Sequence, residues 1–388
     1  MPQSKNLPNK LKPLIKRWNS RGKEYYLCPE NLFTYNQHKI VYHGGQDLPM
    51  SGWFASNGMV QDYALSKEDV EEIQWELLQY YRPTRWELLL DYHCNYQCPM
   101  CAFHGNGVAE KEDYYEDRSI QKRVVSKEEA YRRIDCLVEY GIKTLNLTSL
   151  GEAILYPYWK EVSNYAHEKG MNLWMTTNGS LWTEDTVKVA AELGYTDIRV
   201  SLDALSYEVY SKVRSNRRDY YEQAMALPEL LMKYGITTNV HFVKQKENLH
   251  EAQEFLEYWK KKKVDSISIA NEFIYDGEVV INKFANSKKE YIEGLCTAFG
   301  NMQTFQAGDT KCCCGMVPEL NHEIVKLDEV GCQKVVDDAI EAMRTKDSKL
   351  RELCHKCSLY VPFCDEQIIG NWRVVKTYER ETWNRITE

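Results

Sequence analysis

The sequence predicts an α/β fold: a partial (β/α)6 barrel, an N-terminal α+β region and a cysteine-rich C-terminal extension. Three observations carry this expectation. Between residues 86 and 275, strand-like runs alternate with helical ones, as βαβ units of a parallel sheet do. Residues 1–85 break that rhythm with short strands, turns and one helical stretch. Residues 276–388 hold eight of the chain's 13 cysteines. The expected domains are thus 1–85, 86–275 and 276–388.

The elements follow in order. "WELLLDY" (86–92) is a buried strand. "SKEEAYRRIDCLVEYG" (126–141) is a helix, with Ser126 and Glu129 as a capping box and Gly141 as the stop. Strands follow at 143–149, 171–178, 197–203, 237–244 and 266–273. Helices lie between them at 158–170, 183–194, 220–235 and 248–263, the last with Asn248 and Glu251 as its cap pair. In the N-terminal region, 66–83 reads as a helix ended by Pro83. Ligands of such open parallel sheets bind at the carboxyl ends of the strands.

Bulk properties exclude several classes. The 388 residues carry a net charge of -8, unlike the basic footprint of a nucleic-acid binder. The runs "RSNRR" (214–218) and "KKKK" (260–263) are local and read as solvated helix ends or loops. No apolar run approaches the roughly 20 residues of a membrane span, and the basic N-terminus lacks the apolar core of a secretory signal. A cytoplasmic protein is expected, with no nucleic-acid or membrane partner. Its cysteines are then reduced and better suited to metal or cluster ligation than to disulfides.

The first cysteine group is "CNYQCPMC" (94–101), a C-x3-C-x2-C run of Cys94, Cys98 and Cys101 directly after the first barrel strand. Three thiolates can hold three corners of a [4Fe–4S] cluster and leave one iron open. The alternatives are zinc, with His93 or His104 as a fourth ligand, and three core cysteines. Cys28 and Cys136 stand apart from both groups and read as ordinary residues.

A C-x3-C-x2-C loop after strand one of a (β/α)6 barrel resembles the radical S-adenosylmethionine (radical SAM) superfamily. The resemblance implies that the open iron binds the amino and carboxylate groups of SAM. The aromatic residue usual before the third cysteine is here Met100, which can still pack on adenine. "SLGEAILYP" (149–157) resembles the family's GGEP-like motif, with Leu150 and Ala153 departing from it. By that likeness Gly151 lets backbone approach SAM and Glu152 accepts from its ammonium. Alone, the segment reads equally as a strand-to-helix turn with a solvated glutamate. Asn178 in "TTNGS" and Ser201 and Asp203 in "VSLDA" stand at levels that line the SAM pocket in relatives. Arg214 is a candidate partner for the SAM carboxylate. Singly, Asn178-Gly179 reads as a turn and Asp203 as a helix cap. Tyr92 and Phe103 flank the cluster loop, both as candidate contacts of SAM or substrate and both equally as packing residues.

The late group begins "CTAFGNMQTFQAGDTKCCCG", where Cys296, Gly308 and Cys313 give C-x11-G-x4-C, and continues in "CHKCSLYVPFC" with Cys354, Cys357 and Cys364. This resembles the SPASM/twitch extension of radical SAM enzymes. The residue at 368 is Ile and no cysteine follows Cys364, so the shorter twitch form fits better, with one auxiliary [4Fe–4S] cluster. That likeness implies Cys296, Cys313, Cys354 and Cys357 as ligands, with Cys312, Cys314 and Cys364 as alternates. Adjacent cysteines of an extended chain face opposite ways, so Cys312, Cys313 and Cys314 do not all serve one cluster easily. A zinc knuckle built from "CHKC" and "KCCCG" is the other reading.

The resemblance implies an oxidoreductase that cleaves SAM reductively to a 5′-deoxyadenosyl radical, which takes hydrogen from a substrate C–H. An electron donor such as flavodoxin or ferredoxin supplies the first cluster, and the auxiliary cluster accepts an electron from the substrate. Cyclitol- or aminosugar-like small molecules are the expected substrates, and the acidic balance suits a cationic one. A second reading is a maturase that crosslinks a ribosomal peptide, with residues 1–85 as leader-binding domain. A third is a non-catalytic zinc or iron–sulfur scaffold. No general acid or base stands out in the sequence.

Overall fold

The computed structural model describes residues 83, 85–101, 103–105, 123–271, 302–312, 326–345, 348, 350–352, 365–376 and 380–386, and the strands at 33–36, 39–42 and 61–62. The expected helix over 66–83, apart from Pro83, lies outside them, as do Cys28, Cys296, Cys313, Cys314, Cys354, Cys357 and Cys364.

Strands β1 (Phe33–Asn36), β2 (Lys39–Tyr42) and β3 (Gln61–Asp62) form a small antiparallel sheet. The barrel follows. Its parallel strands are β4 (Arg85–Leu89), β5 (Thr144–Thr148), β6 (Asn172–Thr177), β7 (Tyr195–Ser201), β8 (Thr237–Lys244) and β9 (Ser266–Asn271), side by side in chain order. Between them run α1 (Lys127–Tyr140), α2 (Trp159–Glu168), α3 (Glu184–Glu192), α4 (Tyr207–Val213), α5 (Arg218–Lys233) and α6 (Ala252–Lys262). The alternation expected from the sequence is thus present, and the short helix α4 adds to it.

Both edges of this row are extended. β10 (Met302–Thr304) joins β4 in parallel and turns into antiparallel β11 (Thr310–Lys311). After helix α7 (Leu327–Arg344), the meander β12 (Asp365–Ile369), β13 (Trp372–Lys376) and β14 (Arg380–Arg385) adds to β9 through β14. The result is an 11-stranded open sheet, so the barrel is partial.

Each strand alternates its faces, because successive side chains point opposite ways. Leu88, Leu145, Leu173, Ile198, Val200, Val240 and Ile267 are fully or nearly fully buried within one core cluster. Between them stand Glu87, Asn146, Trp174, Arg199 and His241, which line a cavity within the sheet. A closed barrel fills its interior with branched apolar side chains. Here the interior is polar, which leaves room for a ligand.

Local caps agree with the sequence in part. Ser126 accepts a hydrogen bond from Glu129 N–H at 3.3 Å, and Gly141 ends α1 in the left-handed region. The carboxylate of Glu129 does not complete the box but binds Arg123 and Arg133. Asn248 and Glu251 are not a cap pair either. The Asn248 amide donates to the Asp203 and Val243 carbonyls, and Glu251 accepts from Leu205 N–H and the Ser206 hydroxyl. Both side chains tie loops at the strand ends instead of opening α6.

Arg133 of α1 joins barrel to extension. Its side chain has no exposed surface. It donates to Glu129, to both Asp328 oxygens and to the Phe305 and Gln306 carbonyls. Removing one partner of a buried charge network costs about 3–5 kcal/mol. Arg133→Ala is therefore expected to lower the stability measured by chemical unfolding by about that amount, and Asp328→Asn, at the more exposed end, by less. A loss in Arg133→Ala no larger than that of a surface substitution would refute the joint.

Candidate active site

The three loop cysteines follow β4 along an extension of the sheet. The Leu90 N–H donates to the Thr148 carbonyl, Leu150 N–H to Asp91 and Glu152 N–H to His93, at 3.0, 2.8 and 2.8 Å. The first cysteine loop and the loop after β5 are thus zipped together. Gly151 sits in the crossing. A Cβ there would fall 2.1 Å from the His93 carbonyl oxygen and 2.8 Å from Cys94 Cβ. The close approach that needs this glycine is therefore made by the cysteine loop itself.

The loop after β6 holds the other side. The Asn95 amide donates to Ser180 Oγ at 2.8 Å, and Asn178 Nδ2 donates to Asn95 Oδ1 at 2.9 Å. Tyr96 is buried and shares a hydroxyl hydrogen bond of 2.8 Å with Tyr210. Glu152 is 1% exposed and accepts from the Thr177 hydroxyl at 2.5 Å and from Asn178 N–H at 2.7 Å. Burial pushes its carboxyl up to about 7, against the pull of those donors and of Arg214.

Asp203 has no exposed side chain and a left-handed backbone at φ 59°. Asp tolerates that region better than most residues. One oxygen accepts from Val243 N–H at 2.6 Å, and the other pairs with Arg214 Nε at 2.6 Å. Arg214 Nη1 in turn lies 3.5 Å from Cys98 Sγ. The carboxylate thus aims a guanidinium at the cysteine loop.

One cavity of about 440 Å³ collects these groups. Cys94, Cys98 and Cys101 line it, with Met100, Phe103, Gly151, Glu152, Asn178, Ser201 and Arg214. Asp203 stands behind Arg214 and not on the wall. Tyr92 packs with Leu89, Leu150 and Phe305 instead. His104 lines the cavity, whereas His93 is tied to Asp91 at 2.7 Å. Cys332 is turned to Cys136, with the sulfurs 2.9 Å apart, so α7 and α1 meet there. Cys312 is buried at the end of β11.

Sequence reasoning missed the deeper wall: Arg85, Glu87, Asn146, Trp174, Arg199 and His241. The signal was available. "RWELL", "TLNLT", "YTDIRVS" and "TTNVHFVK" place polar residues at every second position of strands that a parallel sheet buries.

Residues 91–258 match the model of the Radical SAM superfamily. The chain is 23% identical over 214 residues to an S-adenosylmethionine-dependent nucleotide dehydratase of a Thermoplasmatales archaeon, covering 53% of this chain and 71% of that one. It is 26% identical over 175 residues to an Fe-coproporphyrin III synthase of Methanosarcina barkeri, covering 45% of this chain and 40% of that one. Among solved structures, anSMEcpe with bound AdoMet superposes with a TM-score of 0.52 at 13% identity, covering 71% of this chain and 89% of that one. The same protein has also been solved with AdoMet and a Cp18Cys peptide. The chain carries a radical SAM domain. That superfamily uses a [4Fe–4S] cluster and SAM.

The loop fits such a cluster. Each cysteine sulfur receives an N–H: Tyr96 N–H at 3.4 Å on Cys94, Arg214 at 3.5 Å on Cys98, and Phe103 and His104 N–H at 3.4 and 3.3 Å on Cys101. Burial, with Glu152 and the neighbouring cysteines, pushes the Cys94 thiol up to about 12. Burial pushes the Cys101 thiol up as well. Thiols so raised are thiolates at neutral pH only with positive charge bound at the sulfurs, which iron supplies.

Two substitutions test this geometry. Gly151→Ala forces the two loops apart, an overpacking that costs about 1–3 kcal/mol; reconstituted protein is expected to hold less iron and to lose the spectroscopic signal of the loop cluster. Unchanged iron and signal would refute the crossing. Asp197 is buried on β7, and neither carboxylate oxygen has a hydrogen-bond partner among the described residues. Burial raises its carboxyl from 3.8 to about 7, against Arg199 and Arg85. A raised carboxyl pKa means that the folded state holds the proton longer, so stability is lost as pH rises between those two values. The stability difference between Asp197→Asn and the natural chain is therefore expected to move in the variant's favour from about pH 4 to about pH 7 and to level off above. A difference independent of pH would refute it.

Proposed function

We propose that this chain is a radical SAM oxidoreductase that modifies a C–H bond of a polar small molecule held in the lumen of the partial barrel. The observation that carries the proposal is the continuity of one cavity from the cysteine loop to a wall of polar strand residues. Cys94, Cys98 and Cys101 would hold the [4Fe–4S] cluster. Met100, Phe103, Gly151, Glu152, Asn178, Ser201 and Arg214 stand where SAM would contact them. When bound, the cluster and SAM supply a 5′-deoxyadenosyl radical to the lumen. The chain's own part is to orient and to exclude water. Asp203 fixes Arg214, Asn95 and Asn178 fix the cysteine loop, and Glu152 braces the loops after β5 and β6.

An auxiliary [4Fe–4S] cluster on Cys296, Cys313, Cys354 and Cys357, with Cys312, Cys314 and Cys364 as alternates, is part of the same proposal. It would take up the electron left on the substrate and make the net reaction an oxidation. The reductant is an external donor of the flavodoxin or ferredoxin class. A hydroxylated substrate of the cyclitol type suits the polar wall. A cationic aminosugar suits it less, because Arg85, Arg199 and Arg380 share that wall.

The test is SAM cleavage by protein reconstituted without oxygen and given a strong reductant. The natural chain is expected to yield 5′-deoxyadenosine, and the Cys94→Ala/Cys98→Ala/Cys101→Ala variant none. The variant is expected to keep about four irons, those of one auxiliary cluster. No product from the natural chain, with zinc bound in place of iron, would overturn the proposal in favour of a non-catalytic scaffold.

A further inference from the structure

Two cysteines outside both proposed cluster sites face each other across the joint between barrel and extension. Cys136 lies on α1 and Cys332 on α7, with their sulfurs 2.9 Å apart. They stand about one helical turn beyond Arg133 and Asp328, which pair across the same two helices. The joint is thus made by an ion pair and, beside it, by a pair of thiols.

The backbone of α7 brings its cysteine there. Gly331 breaks the helix at φ 78° and ψ 168°, a left-handed φ that glycine adopts at little cost. The helix resumes at Cys332, whose N–H donates to Cys136 Sγ at 3.3 Å. Early N–H groups of a helix lack a carbonyl within it, and such a terminus favours a thiolate. The two sulfurs therefore differ in character. The hydrogen bond from the Cys332 thiol brings Cys136 down to about 7; burial opposes it, the Cys332 N–H adds to it, and Glu139 and Asp328 oppose it. Cys332 is pushed up by that same hydrogen bond, by burial and by the charge of Cys136. Cys136 is half-buried and open to a small reagent, whereas Cys332 is only 3% exposed. A reachable, readily ionised sulfur beside a buried thiol is the arrangement of an attacking and a resolving cysteine.

We infer that Cys136 and Cys332 are a redox modification site, forming a reversible disulfide that locks α7 to α1. The oxidant is a low-molecular-weight disulfide. The Cys136 thiolate attacks one of its sulfurs, forms a mixed disulfide and releases the other half as a thiolate. The charge on Cys136 is then gone, and with it the acceptor that held the Cys332 proton. Cys332 gives up that proton, attacks Cys136 Sγ and releases the second half. Two protein thiols have lost two protons and two electrons, and the small disulfide has become two thiols. The S–S bond is about 2.05 Å long, so a small side-chain movement closes the pair. Excess thiol reverses the exchange, and where thiols are kept reduced such a bridge is transient and sensing. Neither cysteine is a proposed cluster ligand, so the inference does not rest on the proposed function.

The experiment is a thiol map of the reconstituted full chain, reduced, desalted and then given oxidised glutathione without oxygen. Free thiols are alkylated, and the protein is cut with trypsin and read by mass spectrometry without reduction. Peptides 134–143 and 327–334, each with one cysteine, are expected to appear linked and to separate on adding dithiothreitol. Amide exchange across residues 332–344 is expected to slow by at least about tenfold in the bridged protein. In Cys332→Ala the glutathione adduct is expected to persist on Cys136, and alkylation of Cys136 at neutral pH to slow severalfold. In Cys136→Ala, Cys332 is expected to stay unmodified. If the variants do not fold, the map and the exchange of the natural chain decide alone. Absence of the linked peptide, protection of either cysteine by iron, modification of Cys332 without Cys136, or unchanged exchange in the bridged protein would overturn the inference.

Discussion

The cavity depends on one backbone crossing. Residues 90–94 lie against residues 148–152, joined by three hydrogen bonds beyond the last paired residues of β4 and β5. Only a residue without Cβ fits at 151, where the His93 carbonyl passes. This crossing places Cys94 beside the loop that carries Glu152. From there the bracing spreads: Glu152 to Thr177 and Asn178, Asn178 to Asn95, and Asn95 back into the cysteine loop. A loop of eight residues, Cys94 to Cys101 inclusive, is thus fixed on two sides by the ends of neighbouring strands. Precise placement of reactive groups needs such support, since hydrogen-bonded neighbours lock the geometry of the residues they touch.

A polar lumen carries a cost. Each buried polar group needs a partner, and an uncompensated buried charge is expensive. The chain meets this in two ways. Some groups are satisfied internally, as Asp203 is by Arg214 and Val243, and Glu87 by Gln303 and Asn146. Others, such as Asp197, are shifted toward their neutral form. The apolar face of the same strands supplies the compensating burial, with Leu88, Leu145, Ile198, Val240 and Phe242 buried to the last few per cent of surface or beyond. Function and stability therefore use opposite faces of one sheet.

The C-terminal segments are structural parts of this sheet and not a tail beside it. β10 and β14 cover its two edges, where unpaired strands would otherwise expose their backbone groups. Arg133 fastens the turn after β10 and the start of α7 to helix α1. Gln306 adds a hydrogen bond of 3.0 Å to the Asp91 carbonyl, at the root of the cysteine loop. Gly308, conspicuous in the sequence for its place among cysteines, adopts φ +90° in that turn with Asp328 against it. Its conformation serves the turn.

Features encoded in contiguous residues were legible before the fold was known. The βα alternation, the stop at Gly141, the C-x3-C-x2-C spacing and the order of motifs at strand ends all depend on local period and chain direction, which a linear sequence carries. Tertiary structure decided what depends on register and on segments distant in the chain. Cys136 and Cys332 meet across 196 positions, and Arg133 and Asp328 across 195. Asn248 and Glu251 leave their expected caps because Asp203 and Ser206 offer them partners in space. The charge of the lumen belongs to the same class. It is set by which alternate residues of each strand the pleat turns inward, and by where β14 docks. Those choices are fixed only when each strand buries its apolar face against the helices.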